Sequence, residues 1–105
     1  MDVNEIEHNV DIAVSLLKAL SNEKRLLIVC ALYKGEKSVG ELEEIIGLSQ
    51  SALSQHLARL RRDRLVHTRR EAQTIYYSLD DAATNEVLKC LYDIYCPEEG
   101  GAIPI

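Results

Sequence analysis

Long apolar runs are missing from this chain, and nothing in it approaches the ~18 consecutive apolar residues of a membrane span, so no membrane partner is expected. The first ten residues, MDVNEIEHNV, are acidic where a secretory leader is basic. That points to the cytoplasm, where the three cysteines are expected to rest as thiols. No Cys-x-x-Cys motif is present, which argues against a thiol oxidoreductase. No Gly-rich phosphate loop and no acid/base constellation supports any other enzyme, and no cofactor is expected. Room for a second core is lacking too, since chains below ~150 residues form one domain and this one has 105.

Net positive charge is also absent: the formal charge is −5. Its distribution matters more than its sum. Residues 49–79 hold six Arg against Asp63 and Glu71, a net of +4. Residues 1–48 carry five basic and nine acidic side chains, and residues 80–105 one and six, so these flanks are net −4 and −5. A positive field confined to one segment of an acidic protein is the footprint of a nucleic-acid reading head.

Residues 48–79, LSQSALSQHLARLRRDRLVHTRREAQTIYYSL, read as a helix entering a short hairpin. Ser49 can cap the helix start by accepting a backbone N–H that has no intrahelical partner. At ~100° per residue, Leu53, Leu57, Leu60 and Arg64 recur on one side, and Ser51, Ser54, Gln55, Ala58 and Arg62 on the other. Small polar side chains let a duplex come close, and Ser and Gln both donate to and accept from base edges. The runs LVHTRR and TIYYSL flank Glu71, Ala72 and Gln73, a turn with no Gly, and Arg69 and Arg70 are expected to meet phosphates.

Ahead of this unit, Ile6, Val10, Ala13, Val14, Leu17 and Leu20 space a first helix over residues 3–20. LLIVCAL lies in a second, residues 23–34, ended by Gly35 and expected to be deeply buried. Ser38-Val39-Gly40-Glu41 has the spacing of a capping box and opens a third, with Val39, Leu42, Ile45 and Ile46 facing inward. Gly47 permits the sharp turn into the reading helix. Asp80 and Asp81 start a last helix bearing Val87, Leu88, Leu91, Ile94 and Tyr95, which Pro97 closes. The expected fold is mainly α with a small β-hairpin: a winged helix-turn-helix in the order α-α-α-α-β-β-α. The domain is expected to span residues 1–96, followed by a flexible tail, 97–105. Apolar surface on the first and last helices suits a homodimer that offers two reading heads to a pseudo-palindrome in double-stranded DNA.

The segments LSNEKRLLIV, SVGELEEIIGLSQSALSQHLARLRRDRLV and TRREAQTIYYSL resemble the ArsR/SmtB family of dimeric winged-helix repressors, over residues 12–96. The resemblance implies that Gln50, Ser51, Ser54 and Gln55 address bases and nearby phosphates. Arg69, Arg70, Gln73 and Thr74 would hold the wing to the backbone and minor groove, beside the cationic end of the reading helix at Arg62. Family members are named for metal sensing, but VGELEEI lacks Cys and the last helix lacks His, so neither usual metal site is expected. Cys30 and Cys96 resemble the dithiol of a branch that senses reactive sulfur species, releasing DNA when a persulfide or polysulfide donor links the two. Alternatives remain open: Cys30 as mere packing, response to a metal, to general oxidants or to no inducer, and a winged helix that contacts only protein. Cys90, six residues before Cys96, reads as packing or interface.

Overall fold

The computed structural model describes residues 1–96. Its elements are α1 (Val3–Glu7), α2 (Val10–Leu20), α3 (Glu23–Tyr33), β1 (Lys37–Ser38), α4 (Val39–Ile46), α5 (Gln50–Arg62), β2 (Val66–Glu71), β3 (Thr74–Leu79) and α6 (Ala82–Tyr95). This is a winged helix-turn-helix with the three-stranded antiparallel sheet order β1-β3-β2. The expected tail, 97–105, lies outside the described residues.

The helix starts follow local chemistry. Asn22 accepts the Arg25 N–H at 3.0 Å, Ser49 that of Ala52 at 3.3 Å, and Asp81 that of Thr84 at 3.0 Å. The capping box forms in full: Ser38 Oγ accepts from the Glu41 N–H at 3.1 Å, and the Glu41 carboxylate from the Ser38 N–H at 2.8 Å. At the far end of α4, Gly47 sits at φ +79°, left-handed backbone that turns the chain sharply towards α5. Arg25 closes the corner between α2 and α3, its Nε donating to the Ala19 carbonyl at 2.7 Å.

Leu53, Leu57 and Leu60 of α5 are essentially inaccessible and meet Ile28, Val29, Leu32 and Leu42 in one core. Each such side chain contributes ~1.5–3 kcal/mol by burial. Val66 seals the sheet against this core, with Tyr77 and Leu79 partly buried beside it. The buried Thr84 hydroxyl is satisfied by Asp81 at 2.7 Å.

Several expectations need correction. The first helix is two, broken at His8–Asn9, where Asn9 leaves helical geometry at φ −117° and ψ 11°. Asparagine competes for local backbone hydrogen bonds and readily interrupts a helix. Leu27 and Cys30 lie exposed rather than deep, because a helix apolar all round cannot bury every side. Ile45 is likewise 54% exposed. β1 is additional, pairing Lys37 with Tyr77 and Ser38 with Tyr76.

Arg64 is not a member of the buried stripe of α5. It follows the helix at φ +64°, with Arg64 N–H bonded to the Arg61 carbonyl and Leu65 N–H to that of Leu60. That pair of bonds is a Schellman closure, and its left-handed position normally holds Gly. A left-handed L-residue costs ~1–2 kcal/mol, and glycine's extra freedom in the unfolded chain returns ~0.4–1 kcal/mol of it. Arg64→Gly is therefore expected to stabilise by ~0.5–1 kcal/mol, raising the midpoint of thermal unfolding by several degrees. An unchanged or lowered midpoint would show that the Arg64 side chain contributes more than its backbone costs.

Candidate nucleic-acid interface and thiol groove

The buried leucines of α5 aim its other side outward, and the pleat of the hairpin sorts the wing residues. Gln50, Ser51, Ser54, Gln55, Arg62, Arg69, Arg70, Gln73 and Thr74 are all exposed. Two hollows collect most of them. Gln50, at the start of α5, meets Gln73, Thr74 and Ile75 of the wing and Gly40 of α4 in one. Ser54, Ala58, Arg61, Arg62 and Tyr77 form the other, between the reading helix and the sheet. Ser51 and Gln55 line neither hollow. Arg61 and Tyr77 were not singled out from sequence, although 54, 58, 61 and 62 make a helical stripe that the residue spacing already contains.

Arg69 and Arg70 part company. Arg69 pairs across the ladder with Tyr76 and Arg70 with Ile75, so they stand on opposite faces of the hairpin. Arg70 shares the face of Tyr77, towards α5, and makes no ion pair among the described residues. Arg69 does not present a free guanidinium to phosphate. Its Nε and Nη2 each donate to a Glu36 carboxylate oxygen at 2.8 Å. Glu71 lies 3.5 Å away, and the guanidinium stacks 4.4 Å from the Tyr76 ring centroid. The hydrogen bond from Arg69 holds the Glu36 carboxyl below its ordinary range. On α5, Asp63 takes Arg59 at 3.0 Å and Arg62 at 3.7 Å, the latter still largely exposed.

The histidines are scattered, with His8 capping α1, His56 half-buried on α5 and His67 in β2. Burial, then Arg25, pushes His56 down, so it adds no charge to the interface at neutral pH. No three His, Cys, Asp or Glu side chains gather to hold a metal among the described residues.

A second feature lies away from the reading helix. Leu26, Leu27, Cys30, Tyr33 and Lys34 of α3 and its end face Leu88, Leu91, Tyr92, Tyr95 and Cys96 of α6 across a groove of about 460 Å³. Its walls are almost wholly apolar apart from the two thiols, the Tyr hydroxyls and Lys34. All three cysteines are free, and Cys90 stands outside the groove. Cys30 is exposed along one side only, and partial desolvation against the groove, and then the neighbouring Cys96, pushes its thiol up from the usual value.

Residues 22–68 match the family described as "Bacterial regulatory protein, arsR family". The transcriptional activator HlyU of Vibrio cholerae is 53% identical over 96 residues, spanning 91% of this chain and 89% of its own. The chain belongs to the arsR family. The biofilm growth-associated repressor of Xylella fastidiosa (strain Temecula1) is 42% identical over 99 residues, covering 94% of this chain and 87% of that protein. The solved structure of the repressor BigR from Xylella fastidiosa superposes with a TM-score of 0.87 at 42% identity, covering 93% of this chain and all of that one. Reduced HlyU from Vibrio cholerae superposes at 0.84 with 53% identity, over 90% and 99% of the two chains. Like these arsR-family relatives, this chain is a DNA-binding transcriptional regulator and not an enzyme. No helix among its described residues is long and apolar enough to cross a membrane.

Proposed function

We propose that this chain acts in the cytoplasm as a homodimeric repressor whose hold on a pseudo-palindromic operator loosens when reactive sulfur species join Cys30 to Cys96. Gln50, Ser51, Ser54 and Gln55 read bases, while Arg62, Arg70, Gln73 and Thr74 hold the backbone and minor groove. The observation that carries the switch is the single apolar groove bearing both thiols. A relative 53% identical has been solved in a form named reduced, which supports thiol chemistry in this group.

The covalent step balances. One cysteine thiolate attacks the central sulfur of hydrogen trisulfide, breaking an S–S bond and expelling hydrosulfide. The second thiolate attacks that same transferred sulfur, breaking the remaining bond and expelling a second hydrosulfide. A Cys–S–S–S–Cys bridge remains: the two cysteines are oxidised and the two expelled sulfurs reduced. The inserted atom lets the bridge span more than the ~7 Å that a disulfide tolerates between Cα atoms. The bridge ties α3 to α6, and a coupling of ~1–3 kcal/mol between that tie and the reading heads changes DNA affinity 5- to 150-fold.

The test uses a duplex of about 30 base pairs, room for two half-sites a helical turn apart, selected from a random pool by the wild-type protein. Polysulfide treatment is expected to add one sulfur between Cys30 and Cys96 by mass spectrometry and to weaken binding to the selected duplex. Cys30→Ser and Cys96→Ser proteins are expected to bind it normally and to stay bound after treatment. The reaction accelerates as pH rises, since the raised Cys30 thiol ionises only above its ordinary range. Release of DNA from both serine variants would end the thiol reading. Release by zinc or arsenite in place of polysulfide would substitute a metal for it.

A further inference from the structure

We propose that Arg69 is a positioning residue that clamps the wing to the connection leaving α3, and that the wing meets phosphate through Arg70 instead. Glu36 sits in that connection, between Gly35 at φ +143° and the start of β1. Arg69 spans 33 residues of sequence to reach it with two hydrogen bonds of 2.8 Å, the planar fork matching the carboxylate. Ser78 of the neighbouring strand donates to the same carboxylate at 3.3 Å, and Tyr76 lies beneath the guanidinium at 4.4 Å. Two strands of the hairpin are thereby pinned to one carboxylate outside it.

Glu36 occupies the Nε–Nη2 edge of Arg69, the edge that would take a phosphate bidentately, so a phosphate there must displace it, and one at the remaining N–H groups would lie beside two carboxylates. Arg70 carries no such obligation and stands on the face shared with Tyr77 and α5. The clamp is exposed, so its value is geometric: it sets the tilt of the hairpin against the reading helix. Lysine cannot do this, because an ammonium offers neither the fork nor the flat stacking surface.

The inference rests on the wing lying against DNA, and the variants separate the two. With the selected duplex, Arg69→Gln, Arg69→Lys and Glu36→Asp are each expected to weaken binding roughly three- to fivefold, the scale of a well-formed surface pair. The Arg69→Gln/Glu36→Asp double variant is expected to lose no more than either single, because both break one interaction. The slope of log affinity against log salt stays at the wild-type value in all of these, whereas Arg70→Gln lowers it by about 0.9, one phosphate. Wild-type affinity in Arg69→Lys, together with a slope reduced by about 0.9 in Arg69→Gln, would make Arg69 a direct phosphate contact and overturn the clamp. An unchanged slope in Arg70→Gln would overturn the assignment of phosphate to Arg70. Full affinity in every hairpin variant, while Gln55→Ala still weakens binding, would remove the wing from the DNA and the clamp's purpose with it.

Discussion

Leu17→Glu is expected to leave the protomer folded and to reduce its affinity for the selected duplex by about 10²- to 10⁴-fold, the range lost when two linked contacts become one. Leu17 is 58% exposed on α2, so a carboxylate there meets water in a lone protomer and costs little. Val14 and Leu17 line one hollow with Val87 and Leu91 of α6, and Val3, Ile6, Val10 and Ile12 of the first two helices and Tyr92, Ile94 and Tyr95 of α6 are also exposed. Apolar surface that runs from one helix to another is the kind that marks an interaction site. α1 and α2 together bury only Ala19 and Leu20, so most of their apolar side chains have no work within the protomer. Against a partner's apolar face, the new carboxylate would lose water at a cost that such a surface does not repay. Sedimentation of Leu17→Glu should give a monomer with unchanged far-ultraviolet dichroism. A dimer that still binds the duplex tightly would place the subunit interface elsewhere.

What could be foreseen from sequence divides by the range of the interactions. Ser38, Glu41, Gly47 and Ser49 settle helix ends within four residues, and the Leu53, Leu57, Leu60 stripe settles which side of α5 is inside. The charge map is equally local, and its Arg-rich segment folds as α5 and the hairpin. The partner of Arg69 lies 33 residues away, and no periodicity predicts it. β1 is two residues long, one of which also caps α4, too short for alternation to register. Cys30 was misjudged because α3 is apolar on nearly every side, so only the packing of α6 decides which of its residues line a groove. Arg64 escaped because the left-handed closure of α5 carries no glycine to announce it.

The cationic end of α5 gives the other large effect. Arg61 and Arg62 share the hollow with Ser54 and Tyr77, about two turns beyond Ser54 and Gln55, which we propose as base readers. Both are exposed, and Arg62 keeps only a long contact to Asp63, which Arg59 holds more closely. Replacing both with Gln therefore removes two mobile cations from the surface without unmaking the helix, since Gln and Arg have similar helix propensity. If each arginine neutralises one phosphate, the salt slope falls by about 1.8, and the affinity loss is about 60-fold at 0.1 M salt and about ninefold at 0.3 M. The shrinking penalty at higher salt is the signature, because it separates released counterions from lost base contacts. Gln55→Ala, by contrast, should weaken binding by a factor that salt does not change and should relax preference among duplex sequences. Arg61→Lys with Arg62→Lys should restore the slope, because a phosphate needs a charge at this spot and not a fork. A double Gln variant with the wild-type slope would mean that this surface does not lie on the DNA backbone, whatever else the chain does with its arginines.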